Sequence, residues 1–190
     1  MIITIGGTPG SGKSSIAKRI AKQFKFNRYY VGQMARDVAR ERGMSLVDFL
    51  ELGEKDPSVD RMLDEYQRKI AEREDGIIIE GRTSFFIIPK SVKLFVKVDS
   101  LVGAERIFRD LKLNPDRNEG RFDDAKQVMR NNLRRMETDR KRYLRYYGKD
   151  FLDESQYDFV LDTTDLSLDE AVKQVALFIR SRSKSLKSGE

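Results

Sequence analysis

The chain has 190 residues, contains no cysteine and no histidine, and carries a formal charge of +6 from 37 basic and 31 acidic residues. This composition excludes disulfides, a histidine general base and a cysteine nucleophile, and it nearly excludes a structural zinc site. The length is that of one domain with a sizeable core. No apolar run approaches the length of a membrane span, and the N-terminus lacks the features of a signal peptide. We therefore expect a cytoplasmic protein with no membrane partner.

Short β-branched runs and helical apolar spacing alternate along the chain. The runs that predict strands lie at residues 1–5, 77–79, 92–98 and 159–161, and the first is typical of a buried strand in a parallel sheet. The segments with apolar residues at helical spacing lie at residues 14–24, 33–73, from 101 onward, 123–147 and 168–179. Strands that alternate with helices predict a parallel α/β sheet covered by helices on both faces.

Two long stretches, at about residues 33–73 and 106–142, contain helical patterns but no strand. They predict helical excursions from the sheet core. Within the first, Ser45 and Asp56 are suited to cap helix N-termini, and Pro57 suits a first helical position.

Two further segments are predicted to be irregular. Residues 113–120 have the composition of a loop. Residues 181–190 form a basic tail of low complexity, which is either a frayed terminus or an arm that contacts RNA.

The glycine-rich turn after the first strand matches the phosphate-binding pattern G-x-x-x-x-G-K-[ST] at every constrained position. The matching residues are Gly7, Thr8, Pro9, Gly10, Ser11, Gly12, Lys13 and Ser14. Glycines let backbone N–H groups approach phosphate oxygens, and the helix that follows points its positive end at the same phosphates. Lys13 then places a charge on the β- and γ-phosphates, and the Ser14 hydroxyl ligates Mg²⁺. This segment, together with Ser15, predicts a site for ATP with Mg²⁺.

Phosphoryl transfer depends on positioned positive charge more than on acid–base groups, so it suits a chain without histidine or cysteine. Arginine holds an acceptor phosphate better than lysine does, because it binds the phosphate through two parallel hydrogen bonds. Arg82 follows a buried strand directly, and ligands of open α/β sheets bind at the carboxyl ends of strands. Arg82 is therefore a strong candidate for an acceptor site.

Over nearly its full length the chain resembles the nucleoside monophosphate kinases, and among them the archaeal-type cytidylate kinases. The motifs that carry the resemblance are the phosphate-binding turn, Gly32-Gln-Met-Ala-Arg36, Asp56-Pro57 followed by Asp60, Glu80-Gly81-Arg82, Ala104-Glu105-Arg106-Ile107, Arg142-Tyr143, Tyr147-Gly148 and Tyr157-Asp158. Apart from the phosphate-binding turn, no single motif is diagnostic. Their order and spacing together make the resemblance specific.

The resemblance implies a three-layer P-loop kinase fold, α/β in class, with a five-stranded parallel sheet. It divides one kinase domain, residues 1–190, into a core, an acceptor-binding lobe, a lid and the basic tail. The core comprises residues 1–32, 74–105 and 143–180, the acceptor lobe about 33–73, the lid about 106–142 and the tail 181–190. We expect a monomer that acts on small nucleotides and has no stable nucleic-acid partner.

The resemblance also implies a role for individual residues. The residues that bind the acceptor nucleotide would include Gly32, and Arg36 and Arg82 would bind its phosphate. Glu80 would help to hold the Mg²⁺ shell through water. The lid arginines that neutralise the transferring group would be Arg106, Arg135 and Arg142, and Asp139 would reach the acceptor ribose.

The spacing of residues 135, 139 and 142 has a physical meaning of its own. Separations of four and three place the side chains of Arg135, Asp139 and Arg142 on one face of a helix. Such a face fits a substrate clamp, but it fits a solvated ladder of ion pairs equally well.

The residues after Arg82 depart from the family pattern, so the base selectivity stays open. Archaeal-type cytidylate kinases usually continue with small residues and then Trp, whereas this chain continues Thr83-Ser84-Phe85-Phe86. Bacterial-type cytidylate kinases place an Asp directly after that Arg to read the cytosine amino group, which Thr83 cannot do in the same way. Phe85 or Phe86 either stacks on a base or belongs to the core.

We expect an enzyme that transfers the γ-phosphoryl group of ATP to CMP or dCMP. Two alternatives remain: a kinase of another monophosphate such as AMP or UMP, and a P-loop ATPase that acts as an RNA-binding assembly factor. The presence of Arg36 together with Arg82 favours a kinase, since an ATPase has no acceptor phosphate to bind.

Overall fold

The computed structural model describes residues 1–113 and 122–187. Nearly all of the loop expected at residues 113–120 lies outside these ranges, as do the last three residues of the basic tail.

A five-stranded sheet forms the centre of the molecule, in the order β2-β3-β1-β4-β5. All four strand pairings are parallel. The strands are β1 (Ile2–Gly7), β2 (Asn27–Tyr30), β3 (Ile77–Glu80), β4 (Val92–Lys97) and β5 (Phe159–Asp162). The register pairs Ile5 with Glu80 and Gly7 with Val96, so the carboxyl ends of β1, β3 and β4 meet at one edge. Ligands of such sheets bind at this edge.

Helices connect the strands and cover the sheet. They are α1 (Lys13–Phe24), α2 (Val31–Glu41), α3 (Leu46–Lys55), α4 (Pro57–Arg73), α5 (Ser84–Ile87), α6 (Ser100–Leu113), α7 (Ala125–Tyr147) and α8 (Leu168–Lys187), with a 3₁₀ turn at Glu154–Gln156. None of the described helices is both long and apolar enough to cross a membrane.

The five-stranded sheet implied by the family resemblance is confirmed, whereas hydrophobic pattern alone predicted only four strands. The missed strand is β2, at the edge of the sheet. Its sequence Asn-Arg-Tyr-Tyr is largely polar, and three of its four side chains are exposed. An edge strand with little burial produces no apolar run, so the pattern lacks the signal that marked the other strands.

The predicted coverage of both sheet faces is confirmed by the packing of β3. Ile78 packs with α1 and α8 in one cluster that includes Ile16, Ile20 and Ile179. Ile77 and Ile79 point to the opposite face and pack in a second cluster with Ile70 and Ile87. Successive strand residues alternate between faces, so fully buried neighbours require a layer on each side.

Helices α2, α3 and α4 form a lobe with its own small core around Phe49, Val59 and Leu63. The caps predicted from sequence are confirmed at both breaks. Ser45 Oγ accepts from the Asp48 N–H at 3.1 Å, and Asp56 Oδ1 accepts from the Ser58 N–H at 2.8 Å. Pro57 occupies the first turn of α4.

Helix α7 crosses the predicted boundary between lid and core at residue 142 and ends at Gly148, whose φ is 64°. Its first half packs on α6 through Ile107 and Val128. Its second half places Tyr143 against Phe85 and Phe151. Phe85 is only 2% exposed, so it belongs to the core and not to a base-stacking surface.

Helix α8 is longer than its apolar spacing predicted. It continues beyond residue 179 to Lys187, so the frayed tail expected from residue 181 is wrong for residues 181–187. Arginine and lysine in this segment are good helix formers, and Ser183 Oγ donates to the Ile179 carbonyl at 3.0 Å.

Candidate active site

The phosphate-binding turn leaves β1 at Gly7 and enters α1 at Lys13. Gly7, Gly10 and Gly12 have φ values of 139°, 75° and 79°, a region that side chains disfavour. A Cβ at Gly7 would overlap the Val96 backbone, and one at Gly10 would overlap the Gly103 backbone. Gly12 caps α1 without a side chain, so the first N–H groups of the helix face the turn as donors for an anion.

Hydrogen bonds fix this turn to the neighbouring strands. The Thr8 N–H donates to the Val96 carbonyl at 3.0 Å, and the Val98 N–H donates to Thr8 Oγ1 at 3.1 Å. On the other side, Thr163 Oγ1 donates to the Ser11 carbonyl at 3.0 Å. The turn is therefore held in shape by β4 and by the residues that follow β5.

Lys13 reaches over the turn, where Nζ donates to the Thr8 carbonyl at 2.6 Å. Burial lowers the pKa of Lys13 to about 7, and the charge of Arg82 acts in the same direction while that of Glu80 opposes it. These interactions put the predicted donor lysine, acceptor arginine and metal-shell acid in one electrostatic environment, as the sheet edge requires.

Glu80 ends β3 and is only 2% exposed. Its Oε1 forms an ion pair with Arg28 of β2, whereas its buried Oε2 accepts no hydrogen bond from any described residue. Ser14, in the first turn of α1, is exposed. A free carboxylate oxygen and a hydroxyl fit Mg²⁺, which is usually held by one or two carboxylates with substrate phosphates and water. The described residues contain no cluster of three acidic, His or Cys side chains that could hold a metal ion.

Arg82 is partly buried and belongs to a chain of alternating charges whose other members are buried. It forms an ion pair with Asp139 of α7, and its guanidinium lies 5.4 Å from the centre of the Phe151 ring. Arg142 Nη2 lies 3.0 Å from Asp139 Oδ1, and Arg142 Nε lies 3.2 Å from Asp60 Oδ2. Burial lowers the pKa of Arg82 to about 10, and Arg135 is the next cause, so Arg82 keeps its charge at neutral pH.

The burial of this chain separates two interpretations of the α7 face. Asp139 is 6% and Arg142 is 8% exposed, whereas Arg135 is exposed. Asp139 and Arg142 therefore do not form a solvated ladder of surface ion pairs. Buried charges of this kind are retained where they are paired or where they serve a ligand.

Arg36 lies in the middle of α2, and its side chain reaches back towards the carboxyl end of β2. Its Nη1 donates to the Gly32 carbonyl at 3.2 Å, and its guanidinium lies 5.8 Å from the centre of the Tyr30 ring. Tyr30 ends β2 and pairs in register with Glu80 of β3. Arg36 therefore lies near the edge of the sheet that carries the phosphate turn.

Arg106 is held apart from the chain of charges. Its guanidinium donates to the Thr163 carbonyl at 2.8 Å and to the Thr164 carbonyl at 3.2 Å. The hydroxyl of Thr163 in turn contacts the Ser11 carbonyl. In this structure Arg106 therefore borders the donor turn on its β5 side, whereas Arg82 lies at the end of β3 and its charge acts on Lys13.

The family of the chain follows from sequence comparison. A model of the cytidylate kinase-like family matches residues 2–165. The cytidylate kinase of Methanopyrus kandleri is 35% identical over 181 residues, which cover 90% of this chain and 88% of the relative. That of Methanospirillum hungatei is 35% identical over 191 residues and covers 100% of both chains. The chain belongs to the cytidylate kinase-like family.

Two solved structures share this fold and are distant in sequence from this cytidylate kinase-like chain. A shikimate kinase from Bacteroides thetaiotaomicron has a TM-score of 0.65 at 12% identity and covers 95% of this chain and 98% of its own. A protein from Eubacterium ventriosum has a TM-score of 0.71 at 19% identity, with 95% and 99% covered. At these identities the likeness concerns the fold alone, and it agrees with the three-layer P-loop kinase architecture.

A buried polar network of this cytidylate kinase-like chain was not anticipated from its sequence. Thr83 Oγ1 donates to Asp64 Oδ1 at 3.2 Å, and Tyr147 Oη donates to Asp64 Oδ2 at 2.6 Å. Gln67 Nε2 donates to Thr83 Oγ1 at 3.2 Å, and Ser84 Oγ donates to Gln67 Oε1 at 2.6 Å. The Thr83 hydroxyl therefore joins α4 to the residues after β3.

Two further residues at the site had no predicted role. Asp60 was part of one motif of the family resemblance, next to Asp56-Pro57, but no function was predicted for it. Arg28 belonged to none of the motifs. The signal that could have found Asp60 is its separation of four from Asp64, which places two acids on one face of a helix with buried apolar neighbours. Arg28 lies on the strand that the hydrophobic pattern missed.

Proposed function

We propose that this protein transfers the γ-phosphoryl group of ATP to CMP or dCMP, with Mg²⁺ bound to the donor phosphates. The observation that carries the proposal is the chain of ion pairs Arg82–Asp139–Arg142, whose first member follows β3 and acts electrostatically on Lys13 of the phosphate turn. A triphosphate needs only the turn and Lys13, so a second cationic site at the same edge implies a second anionic ligand. The relatives named cytidylate kinase support cytidine nucleotides as that ligand.

The donor side supplies binding and charge. Backbone N–H groups from Gly10 to Ser15 surround the phosphates, and Lys13 Nζ exchanges its contact with the Thr8 carbonyl for the β- and γ-phosphates. Mg²⁺ would be held by the Ser14 hydroxyl and, through water, by Glu80, and would supply charge neutralisation to the phosphates. The free Oε2 of Glu80 fits that role.

The acceptor side supplies orientation. Arg36 and Arg82 hold the phosphate of the monophosphate, and Asp139 accepts from a ribose hydroxyl. A phosphate oxygen of the acceptor attacks the γ-phosphorus, the bond from that phosphorus to the β–γ bridging oxygen breaks, and ADP leaves with the bonding electrons. Arg135 and Arg142 stabilise the charge on the transferring group. No general base is required, because a nucleotide phosphate is already anionic at neutral pH.

Arg106 has a different place in this scheme. Its contacts with the residues after β5 put it beside the donor turn, so we propose that it acts on the donor nucleotide and stabilises the transferring group from that side.

A panel of acceptors tests the proposal. Purified protein with ATP and Mg²⁺ should form ADP and CDP in equal amounts from CMP, with the corresponding result for dCMP. Higher kcat/KM for AMP or UMP would move the assignment to another acceptor. ATP hydrolysis that RNA stimulates, with no nucleoside diphosphate formed from any monophosphate, would replace the kinase with an RNA-dependent ATPase. Lys13→Ala should abolish product formation, and Lys18→Ala, on the exposed face of the same helix, should not.

A further inference from the structure

Arg28 is an arginine of the edge strand β2 whose partner is a carboxylate of the candidate active site. Its Nε donates to Oε1 of Glu80, the residue that ends β3. The side chain of Arg28 is 30% exposed, whereas that of Glu80 is only 2% exposed. The pair therefore connects the rim of the sheet with a carboxylate in its interior.

Both side chains lie on the face of the sheet that α1 covers. Arg28 pairs in register with Ile78, and Glu80 lies two residues beyond Ile78 on β3. Side chains two residues apart on a strand share a face of the sheet, and Ile78 packs with Ile16 of α1. Glu80 therefore faces the helix whose first turn carries Ser14.

The two carboxylate oxygens of Glu80 have different surroundings. Oε1 accepts from Arg28, whereas Oε2 is buried and accepts no hydrogen bond from any described residue. A buried charged oxygen without a partner costs free energy, so its retention fits a ligand that the chain itself does not supply. The charge of Glu80 acts on Lys13, which agrees with a carboxylate close to the phosphate turn.

We propose that Arg28 is a positioning residue, which holds Oε1 of Glu80 and thereby keeps Oε2 directed at the hydration shell of the Mg²⁺ that accompanies ATP. This inference rests on the proposed function, because it requires Glu80 to contribute to the metal site. In this role Arg28 contacts neither the nucleotide nor the metal. A bond to one oxygen fixes the plane of a carboxylate, and groups that orient metal-binding side chains in this way affect the affinity for the metal.

The direction in which Arg28→Met changes the binding of Mg²⁺ tests the inference. Loss of orientation weakens the binding of Mg²⁺, whereas a purely electrostatic effect strengthens it, because a cation near the metal is removed. In Mg²⁺ titrations that follow the binding of a fluorescent ATP analogue, we expect the Mg²⁺ concentration at half-saturation to rise about fivefold. An unchanged or lowered concentration would overturn the inference.

Binding of the same analogue in EDTA shows whether the effect of Arg28→Met depends on the metal. Without Mg²⁺, the affinity of this variant for the analogue should differ from that of wild type by less than about twofold, because Arg28 acts through the metal site. A fivefold loss of affinity in EDTA as well would show a general defect of the donor site and would overturn the inference.

Two variants serve as controls for the Mg²⁺ titration. Arg28→Lys keeps a charged donor for Oε1, so it should raise the Mg²⁺ concentration at half-saturation less than Arg28→Met does. Arg19→Met removes an arginine of α1 that pairs with Asp169 of α8, and it should behave like wild type. Arg28→Ala provides a second variant with the same expectation as Arg28→Met, and circular dichroism checks the fold of each protein.

A double-mutant cycle shows whether Arg28 acts through Glu80. In a Glu80→Gln background, Arg28→Met should change the Mg²⁺ concentration at half-saturation by less than about twofold. Effects of the two substitutions that multiply would overturn the inference.

The same titration separates the inference from the proposed function. If Glu80→Gln leaves the Mg²⁺ dependence of binding unchanged, Glu80 does not belong to the metal site, and the inference ends together with that part of the proposed function. If Glu80→Gln raises the Mg²⁺ requirement and Arg28→Met does not, only the inference ends. Formation of CDP from CMP by the wild-type protein tests the proposed function independently of both results.

Discussion

Arg82, which follows the third strand of the sheet, forms an ion pair with Asp139, which lies on the long helix of the lid region. The two residues are 57 positions apart in sequence, yet Asp139 shares its other oxygen with Arg142. The core and α7 therefore meet through buried charges at the edge of the sheet that carries the phosphate turn.

This relationship predicts a selective effect of Arg82→Ala. Arg82 is assigned to the acceptor phosphate, so its loss should raise the KM for CMP by at least about tenfold and that for ATP much less. Steady-state kinetics with each substrate varied in turn measure the split. Arg140→Ala is the control, because Arg140 lies on α7 but pairs with Asp150 at 2.6 Å. Equal increases in both KM values for Arg82→Ala would contradict the assignment.

The lowered pKa of Lys13, about 7, predicts that nucleotide binding takes up a proton. At pH 8 most Lys13 side chains are neutral in the free protein, and donor phosphates beside Nζ raise the pKa and favour the ammonium form. Titration calorimetry of MgATP in two buffers with different ionisation enthalpies should therefore show uptake of close to one proton at pH 8. At pH 6 the lysine is already charged, so the uptake should be close to zero.

Lys13→Arg serves as the control for that measurement, since an arginine remains charged throughout this pH range. Its binding of MgATP should show no uptake at pH 8. Wild-type protein without uptake at pH 8, or the variant with the same uptake as wild type, would show that Lys13 is not the group that titrates.

We predict that Glu80 contributes to the binding of Mg²⁺ and not to the binding of the acceptor nucleotide. Glu80→Gln removes the charge beside the free Oε2 oxygen, so saturation should require several-fold more Mg²⁺ at fixed ATP while the KM for CMP changes little. Mg²⁺ titrations of activity and of the binding of a fluorescent ATP analogue measure this. Glu74→Gln, an acid that binds Tyr29 and Asn27 outside the site, should leave both curves unchanged. A normal Mg²⁺ requirement in Glu80→Gln would remove Glu80 from the metal shell.

The raised pKa of Asp60 predicts that the stability of the protein depends on pH. Burial raises its pKa from 3.8 to about 6, against the opposing charge of Arg142 and with the help of Asp64. Between these values the folded protein holds a proton that the unfolded chain has released, so the free energy of unfolding falls as pH rises from about 4 to about 6. The decrease is up to about 3 kcal/mol. Asp60→Asn cannot titrate, so the stability of wild type relative to this variant should fall over that range in urea unfolding. A difference in the free energy of unfolding between wild type and Asp60→Asn that stays constant over this pH range would contradict the raised pKa of Asp60.

The parts of the fold that the sequence predicts well are those that burial and glycine geometry determine locally. Ile77-Ile78-Ile79 is a strand because its residues are buried on both faces, and Gly7 and Gly10 are required because a Cβ would meet backbone. The caps at Ser45 and Asp56 also depend only on nearby residues. The sequence pattern was therefore sufficient to predict structure wherever the residues that determine it lie in one short segment of the chain.

The parts that could not be predicted depend on contacts between distant segments. β2 is a strand because it pairs with β3, and no apolar pattern marks it. The hydroxyl of Thr83 is engaged by Asp64 and Gln67 from α4, which no spacing within residues 80–86 indicates. Asp60 and Arg142 are 82 positions apart and meet only in the folded chain. The resemblance to a family predicted that the sheet has five strands, but it did not predict that Asp60 pairs with Arg142.

The central claim is that two nucleotides bind end to end, with Lys13 on the donor and Arg82 on the acceptor. A compound that joins adenosine and cytidine through five phosphates tests it most directly, by titration calorimetry with wild type, Lys13→Ala and Arg82→Ala. We predict one molecule bound per chain, far more tightly than ATP or CMP alone, and weaker binding in both variants. Binding no tighter than that of ATP, and unaffected by Arg82→Ala, would show that no acceptor site lies next to the donor site.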